Sequence, residues 1–299
     1  TLLLPPLPRL LRSETLGEKL ARLLGRGDRL DDLPESRAGQ LEVLFDIEPR
    51  PLAAAALTRA MESDGVDAGE WLRADPAHVM VDIAAVRLMV CGDFGLTSDE
   101  VRPLHASLAA LFAEEGLQFE APATDRWYLR LPAAGELPAF QPPECAPGAD
   151  MEHCLPEGAE QSRWRRLLNE TQVLLHGHPV NVARAANGLL PVNSLWFWGA
   201  GRRPTRMRGG FSTVVGDDPL LRALAVRGGM AHANELAAEA GSGALVDLAS
   251  AAETDLEAWL HRAARGADLV FAGGERFSIA GWQRWRFWRS PVRTAGQGA

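Results

Sequence analysis

The chain has 299 residues, a formal net charge of -8, 46% hydrophobic residues and three cysteines. That length supports one large α/β domain or two smaller ones without staples, and Cys91, Cys145 and Cys154 are too irregularly placed for a disulfide framework or a paired-cysteine zinc site. The acidic balance argues against nonspecific nucleic-acid binding, no apolar run reaches membrane-spanning length, and the proline-broken opening carries no basic leader, so a cytoplasmic protein with no nucleic-acid or membrane partner is expected.

In chain order, "TLLLP" predicts a strand, and "LGEKLARLLGRG" and "PLAAAALTRAMESDG" predict helices with leucines at helical spacing. From "EWLRADPAHVMVDIAAVRLMVCGD" the pattern changes to two β-like runs. Thr97 or Ser98 then caps a helix that stops at Gly116, and a second extended pair follows in "LQFEAPATDRWYLRLP". These elements and the Pro-rich connector after them predict an α+β subdomain over 70–150, inserted into an α/β core formed by 1–69 and 151–299. The second core part opens with the helix "EQSRWRRLLNETQVLLHGH" and continues with "GALVDL", "ETDLEAWLHRAARG" and "ADLVFAGG" in strand-helix alternation. The tail "RWRFWRSPVR" alternates arginine and aromatic residues from Arg284 to Phe287 and reads as a terminal strand.

The densest stretch is "HPVNVARAANGLLPVNSLWFWGAG", residues 178–201. His178 precedes Pro179 and so helps to end one helix; Asn181 is expected to cap the next, and Gly188 to close it. The following apolar strand ends in Gly199-Ala200-Gly201 with Arg202 and Arg203 beyond, a reasonable place for a small anion at the end of an α/β strand. Lys19 is the single lysine, so any anion site here is expected to use arginine. His176 and His178 read as structural, and Cys145, His153 and Cys154 match no familiar zinc spacing. His232 is a conceivable base, but one histidine in an alanine-rich helix reads as structural too. No Gly-x-Ser-x-Gly elbow, Walker loop or His-Glu-x-x-His helix is present.

The order and spacing of His178, Pro179, Asn181, Arg184, Gly188, Asn193, Gly199 and Gly201 resemble a block of the archaeal-type cofactor-independent phosphoglycerate mutases. The Pro-Val-Asn-Ser-Leu-Trp-Phe-Trp-Gly run is similar to one in divergent bacterial phosphoglycerate mutase-like or regulatory proteins. The resemblance implies an alkaline-phosphatase-like α/β core sheet flanked by helices, with an inserted α+β subdomain, and a chemistry of two metal ions with a serine or threonine nucleophile. It places Arg73 at the arginine of the first insert strand and Arg126 at an insert hairpin.

This sequence departs from that pattern where the metals bind. Pro5 and Pro6 follow the first strand where an Asp-Gly is implied; after the strand in "ADLVFAGGERFSIAGW", where an Asp-x-x-x-His set is implied, there is only Glu275 and no histidine; and "VDIAAVRLMV" keeps only Arg87 of an implied arginine pair. The expectation is a pseudoenzyme without cofactor, binding a small phosphorylated or carboxylated metabolite or a regulatory protein partner. His178, Asn181, Arg184, Asn193 and Arg202 would hold the ligand, with Arg73 and Arg126 from the insert. The alternative is an active mutase or related phosphotransferase using Mn or Mg on Asp217, Asp218, His232 and Asp247. A third reading, an interaction module, predicts an exposed apolar patch around the tryptophan-rich tail. The oligomeric state is left open.

Overall fold

The computed structural model describes residues 1–63, 68–81, 86–132, 139–145, 154, 160–234 and 241–292. It divides into two units, Thr1–Ile47 with Met207–Ala299, and Glu48–Arg206. The division falls at 47/48 and 206/207 rather than at the expected 69/70 and 150/151. The reason is a long-range strand pairing described below, which draws the 178–201 block into the second unit. Among the described residues, no helix is long and apolar enough to cross a membrane.

The first unit is a mixed α/β layer structure. Strand β1 (Leu2–Leu4) lies between two parallel neighbours, β12 (Ala244–Asp247) and β13 (Gly266–Phe271). Its three consecutive leucines are all buried, as a strand covered on both faces requires. Beyond β12 the sheet continues through β10 (Thr213–Val215) to β11 (Ala231–Ala233), again in parallel. On the other side β14 (Arg276–Ala280) and β2 (Asp28–Leu30) add antiparallel edges. Helices α1 (Leu7–Leu11), α2 (Gly17–Arg26) and α9 (Glu253–Ala263) bring Leu10, Leu20, Leu24 and Trp259 into one core with Leu2, Leu4, Val246 and Phe271. Leu3, Leu245 and Val270, which alternate to the other face, are equally buried. Helix α3 (Arg37–Leu44) starts at Ser36, whose hydroxyl accepts the Gly39 N–H, and α8 (Pro219–Arg227) starts at Asp218 with proline at its first position.

The expected terminal strand is absent. Residues Gly281–Trp285 instead form a 3-10 turn. Buried Gln283 explains the difference: its amide oxygen accepts the Ala280 N–H and its nitrogen donates to Asp28, while Arg286 also reaches Asp28. These local bonds curl the segment and leave Trp282, Trp285, Phe287 and Trp288 exposed.

The second unit is built on β4 (Glu70–Val81), a twelve-residue strand that pairs with three partners. Its first residues pair with β7 (Tyr128–Leu131), its last with β5 (Val86–Cys91), and residues 71–77 on the other edge with β8 (Ser194–Gly201), all antiparallel. Strand β6 (Gln118–Glu120) completes the sheet beside β7. Helices α5 (Ser98–Glu114) and α6 (Gln161–His176) cover it through Leu104, Leu108, Phe112, Trp164 and Leu167 against Leu72, Trp127 and Phe197. Thr97 and Glu100 form a capping box at the start of α5, and Gly116 (φ 72°) follows its end. The remaining helices are α4 (Ala54–Glu62) and α7 (Pro179–Ala186).

Candidate functional site

In the first unit the chain leaves β10 through α8 outward to β11, but leaves β12 through α9 across β1 to β13. The two connections diverge, so the gap between the carboxyl ends of β10 and β12 is the topological switch point where open α/β sheets place ligands. Gly216 ends β10 there with φ 148°, and a Cβ on it would lie 2.9 Å from that of Asp247. The glycine is what lets the two strand ends come so close.

Two carboxylates meet one guanidinium at this point. Arg37 Nη2 donates to Asp247 Oδ2 at 2.5 Å and lies 3.6 Å from Asp218 Oδ2. Asp247 Oδ1 accepts the Ala249 N–H at 3.1 Å, and Asp218 Oδ1 caps α8 through the Leu220 N–H at 2.8 Å. Burial raises the Asp247 carboxyl above its ordinary range, with the Asp218 charge adding to the effect and Arg37 and the Ala249 amide opposing it. Beside them, His232 Nε2 hydrogen-bonds to the Gly216 carbonyl at 2.9 Å. His232 is on β11, not on the expected alanine-rich helix, whose residues 235–240 lie outside the described ones.

This donor set does not fit a two-dication centre. Among the described residues there is no group of three or more His, Cys, Asp or Glu that could hold a metal ion. β1, the central strand, runs into Pro5 and Pro6 and supplies no carboxylate, and Arg37 already provides the positive charge between Asp218 and Asp247. The set Cys145, His153 and Cys154 includes His153, which lies outside the described residues.

The residues expected to hold a ligand are all in the second unit, in three separate places. His178, Asn181, Arg184 and Asn193 form a set of internal clamps. His178, rather than Asn181, caps α7: its Nδ1 accepts the Val180 N–H at 3.3 Å, and its Nε2 lies 3.3 Å from Ser107 Oγ. Asn181 sits inside the helix and bridges outward, donating to Leu175 O (2.8 Å) and Val192 O (2.7 Å) and accepting from the Val192 N–H (2.9 Å). Arg184, 2% exposed, donates to Leu190 O, Phe94 O and Glu100 Oε1 at 2.8–2.9 Å. Asn193 exchanges a pair of 2.8 Å bonds with the Val79 N–H and C=O. These groups pin α7 and the segment after it to α5 and β4, which accounts for the special residues of this block by folding.

The glycines have a similar explanation. Gly199 (φ 65°) and Gly201 (φ 147°) lie within β8, and a Cβ on them would come within 2.9 Å and 2.8 Å of the Cβ atoms of Ala54 and Ala53. They let the start of α4 approach β8, so the pair is a packing device and not the expected anion turn.

Arg73 and Arg126 belong to a second, buried network. Arg73 makes a bidentate pair with Asp75 (both 2.8 Å), and its Nη1 reaches Thr58 Oγ1 at 3.3 Å. Its guanidinium also lies 5.1 Å and 5.4 Å from the ring centres of Trp198 and Tyr128. Asp75 Oδ2 accepts Trp198 Nε1–H at 2.7 Å. Tyr128 Oη lies 2.6 Å from Glu62 Oε2 and 3.0 Å from Thr58 Oγ1, and Glu62 pairs with Arg126, which also pairs with Asp125. Burial, with the Glu62 charge, pushes the Tyr128 phenol far up, so it stays protonated. Arg202 is apart from both groups. Its exposed side chain donates to Glu70 at 2.8 Å and lines a groove of about 620 Å³ with Arg130 and Gln118.

Sequence reasoning missed Asp75, Glu62, Thr58 and Tyr128. The Arg73–Asp75 pair carried a readable signal, since residues two apart in a strand share a face. Arg37 carried none, because its partner is 210 residues away.

A mixed α/β domain with a charged switch-point crevice is the class that the fold and the site define. No family model matches the chain. It is 31% identical over 155 residues to the 2,3-bisphosphoglycerate-independent phosphoglycerate mutase of Methanosarcina barkeri, covering 52% of this chain and 37% of that one. It is 28% identical over 178 residues to a probable enzyme of the same name from Geobacter sulfurreducens, covering 57% and 43%. A solved cofactor-independent phosphoglycerate mutase from Thermoplasma acidophilum aligns with 94% of this chain and 89% of its own at 15% identity and a TM-score of 0.38. The chain is a relative of the cofactor-independent phosphoglycerate mutases. It spans under half the length of the curated relatives it matches.

Proposed function

We propose that this relative of the mutases does not carry out metal-dependent phosphoryl transfer and instead binds a small phosphorylated or carboxylated metabolite, or a protein partner, in a regulatory role. The observation that carries the reading is Arg37, whose guanidinium holds Asp218 and Asp247 together at the switch point. A fixed organic cation in that position stabilises the crevice electrostatically but has no coordination site to offer a phosphoryl oxygen or a nucleophile.

For the anionic metabolite, the groove around Arg130 and Arg202 is the place that this reading assigns, because Arg202 is the residue of the expected set whose guanidinium is exposed. His178, Asn181, Arg184, Asn193, Arg73 and Arg126 then act as the frame of the unit that carries the groove. The free thiol of Cys91 supports the proposal that the protein works in the reducing cytoplasm.

The test has two arms. Calorimetry with 2- and 3-phosphoglycerate should give heat of binding that Arg202→Ala abolishes, while elemental analysis and a coupled mutase assay with added manganese should find no metal and no turnover. Stoichiometric manganese with turnover would reverse the reading in favour of an active mutase using Asp217, Asp218, His232 and Asp247. Absence of heat at millimolar phosphoglycerate would remove the metabolite.

A further inference from the structure

Beside the sheet of the first unit, α2 and α9 leave between them a groove of about 840 Å³. Half-buried Leu23, with the buried side chains of Leu20, Leu260 and Ile279 beneath it, forms an apolar floor, and five arginines with Lys19 supply the cations of the lining. Arg22 and Arg26, one turn apart, stand on the α2 wall; Arg262 and Arg265 stand on the α9 side, and Arg284 stands at the 3-10 turn. Glu257 is the one acidic lining residue and is already paired with Lys19 at 2.5 Å, while Arg22 is paired with Glu18 on the same helix. The guanidinium groups of Arg26 and Arg265 meet no carboxylate among the described residues. In a chain of net charge -8 this is a local reversal of sign.

The aromatic residues of the tail adjoin it in sequence. Gln283 and Arg284 line the groove, and their neighbours Trp282 and Trp285 are 60% and 64% exposed, followed by Phe287 at 78% and Trp288 at 70%. Trp282 is held rather than left loose, with Arg286 4.3 Å from its ring centre and anchored to Asp28, and the segment is tied further by Arg289, which donates to Gly27 O at 2.9 Å. Exposed large aromatic residues beside cations are the composition of a recognition surface.

We propose that this groove docks an acidic amphipathic helix of a protein partner, its apolar stripe on the leucine floor and its carboxylates on the two arginine walls. Charge complementarity chooses the occupant. The cations stand on both sides of a concave apolar strip, which matches a helix carrying acidic residues on both flanks of one apolar face. A flat anionic membrane would meet the rim and leave the floor unused, and a small anion would need its cations converged on one point. The proposal rests on the protein-partner half of the reading above. Its test contains no phosphoglycerate, so failure here leaves the metabolite half standing.

The full chain is titrated into a fluorescently labelled synthetic helix of about four turns, with a leucine stripe flanked by glutamates. A matched helix with lysines in place of the glutamates, and vesicles of phosphatidylglycerol, serve as the other probes. The glutamate helix should bind and weaken as salt is raised. The exposed double variant Arg265→Glu/Arg284→Glu, checked for unchanged melting, should bind it at least about tenfold more weakly and should bind the lysine helix more tightly than the parent does. Equal binding of the two helices, insensitivity to the charge reversal, or binding to the vesicles alone would each overturn the proposal.

Discussion

Removing Arg73 while keeping Asp75 tests whether the buried network is a set of mutually dependent charges. In Arg73→Met the Asp75 carboxylate, 2% exposed, loses both guanidinium bonds and keeps only Trp198 Nε1–H at 2.7 Å and the Trp127 N–H at 3.3 Å. Breaking a buried pair from one side costs about 3–5 kcal/mol, because the remaining charge is uncompensated. Set against a typical stability of roughly 5–15 kcal/mol, that is a loss of roughly 10 °C in the melting temperature of this unit. Burial holds the Asp75 carboxyl above its ordinary range even in the parent, against the pull of Arg73, and removing Arg73 raises it further. A carboxyl whose folded pKa is raised favours the fold at low pH and withdraws that support as pH rises through it, so the deficit of Arg73→Met should shrink on acidification. Urea melts followed by tryptophan fluorescence, at neutral and acidic pH, read this directly. The double variant Arg73→Met/Asp75→Leu should recover most of the loss, since apolar residues replace both charges. A single-variant loss below about 1 kcal/mol, or a double variant no better than the single, would refute the reasoning.

Asn193→Ala should cost about 1–3 kcal/mol in urea melts by leaving the Val79 N–H without its acceptor, and Asn193→Asp should recover only the accepting half. Gly201→Ala places a Cβ 2.8 Å from that of Ala53 at a φ of 147°, so it should destabilise by more than the roughly 1 kcal/mol of an ordinary glycine exchange, whereas Gly210→Ala, with open space around it, should be near neutral. Asp247→Asn removes a carboxyl whose folded pKa is raised by burial; it should flatten the fall in stability that the parent shows as pH rises through the acid range, measured by thermal melts at a series of pH values.

The local signals in the sequence were strong where one segment determines its own structure. Thr97 or Ser98 announced the start of α5, and Thr97 is the cap; Gly116 and Gly188 (φ 72° and 70°) announced its end and that of α7, and "GALVDL" and "ADLVFAGG" their strands. What escaped was decided by distant partners. The unit boundary depends on β8 meeting β4 across more than a hundred residues, as in the Trp198–Asp75 bond, and no spacing within either strand records it. The tail had strand periodicity from Arg284 to Phe287, but Asp28, more than 250 residues away, gathers Gln283 and Arg286 into a turn. At the candidate site, residue types were legible and their employment was not. His178, Asn181, Arg184 and Asn193 have the chemistry of a binding set, and the structure spends that chemistry on main-chain carbonyls and amides, Glu100 and Ser107.

Asn193 illustrates what such spending achieves. Its side-chain amide presents one donor and one acceptor to Val79, the same pair that a peptide unit would present. The sheet therefore gains a rung whose far side is a side chain, next to the bond that the Asn193 N–H itself donates to the Ala77 carbonyl at 3.1 Å. One residue thus holds β4 at two successive positions along the strand, and the chain entering β8 is locked in register before the strand begins.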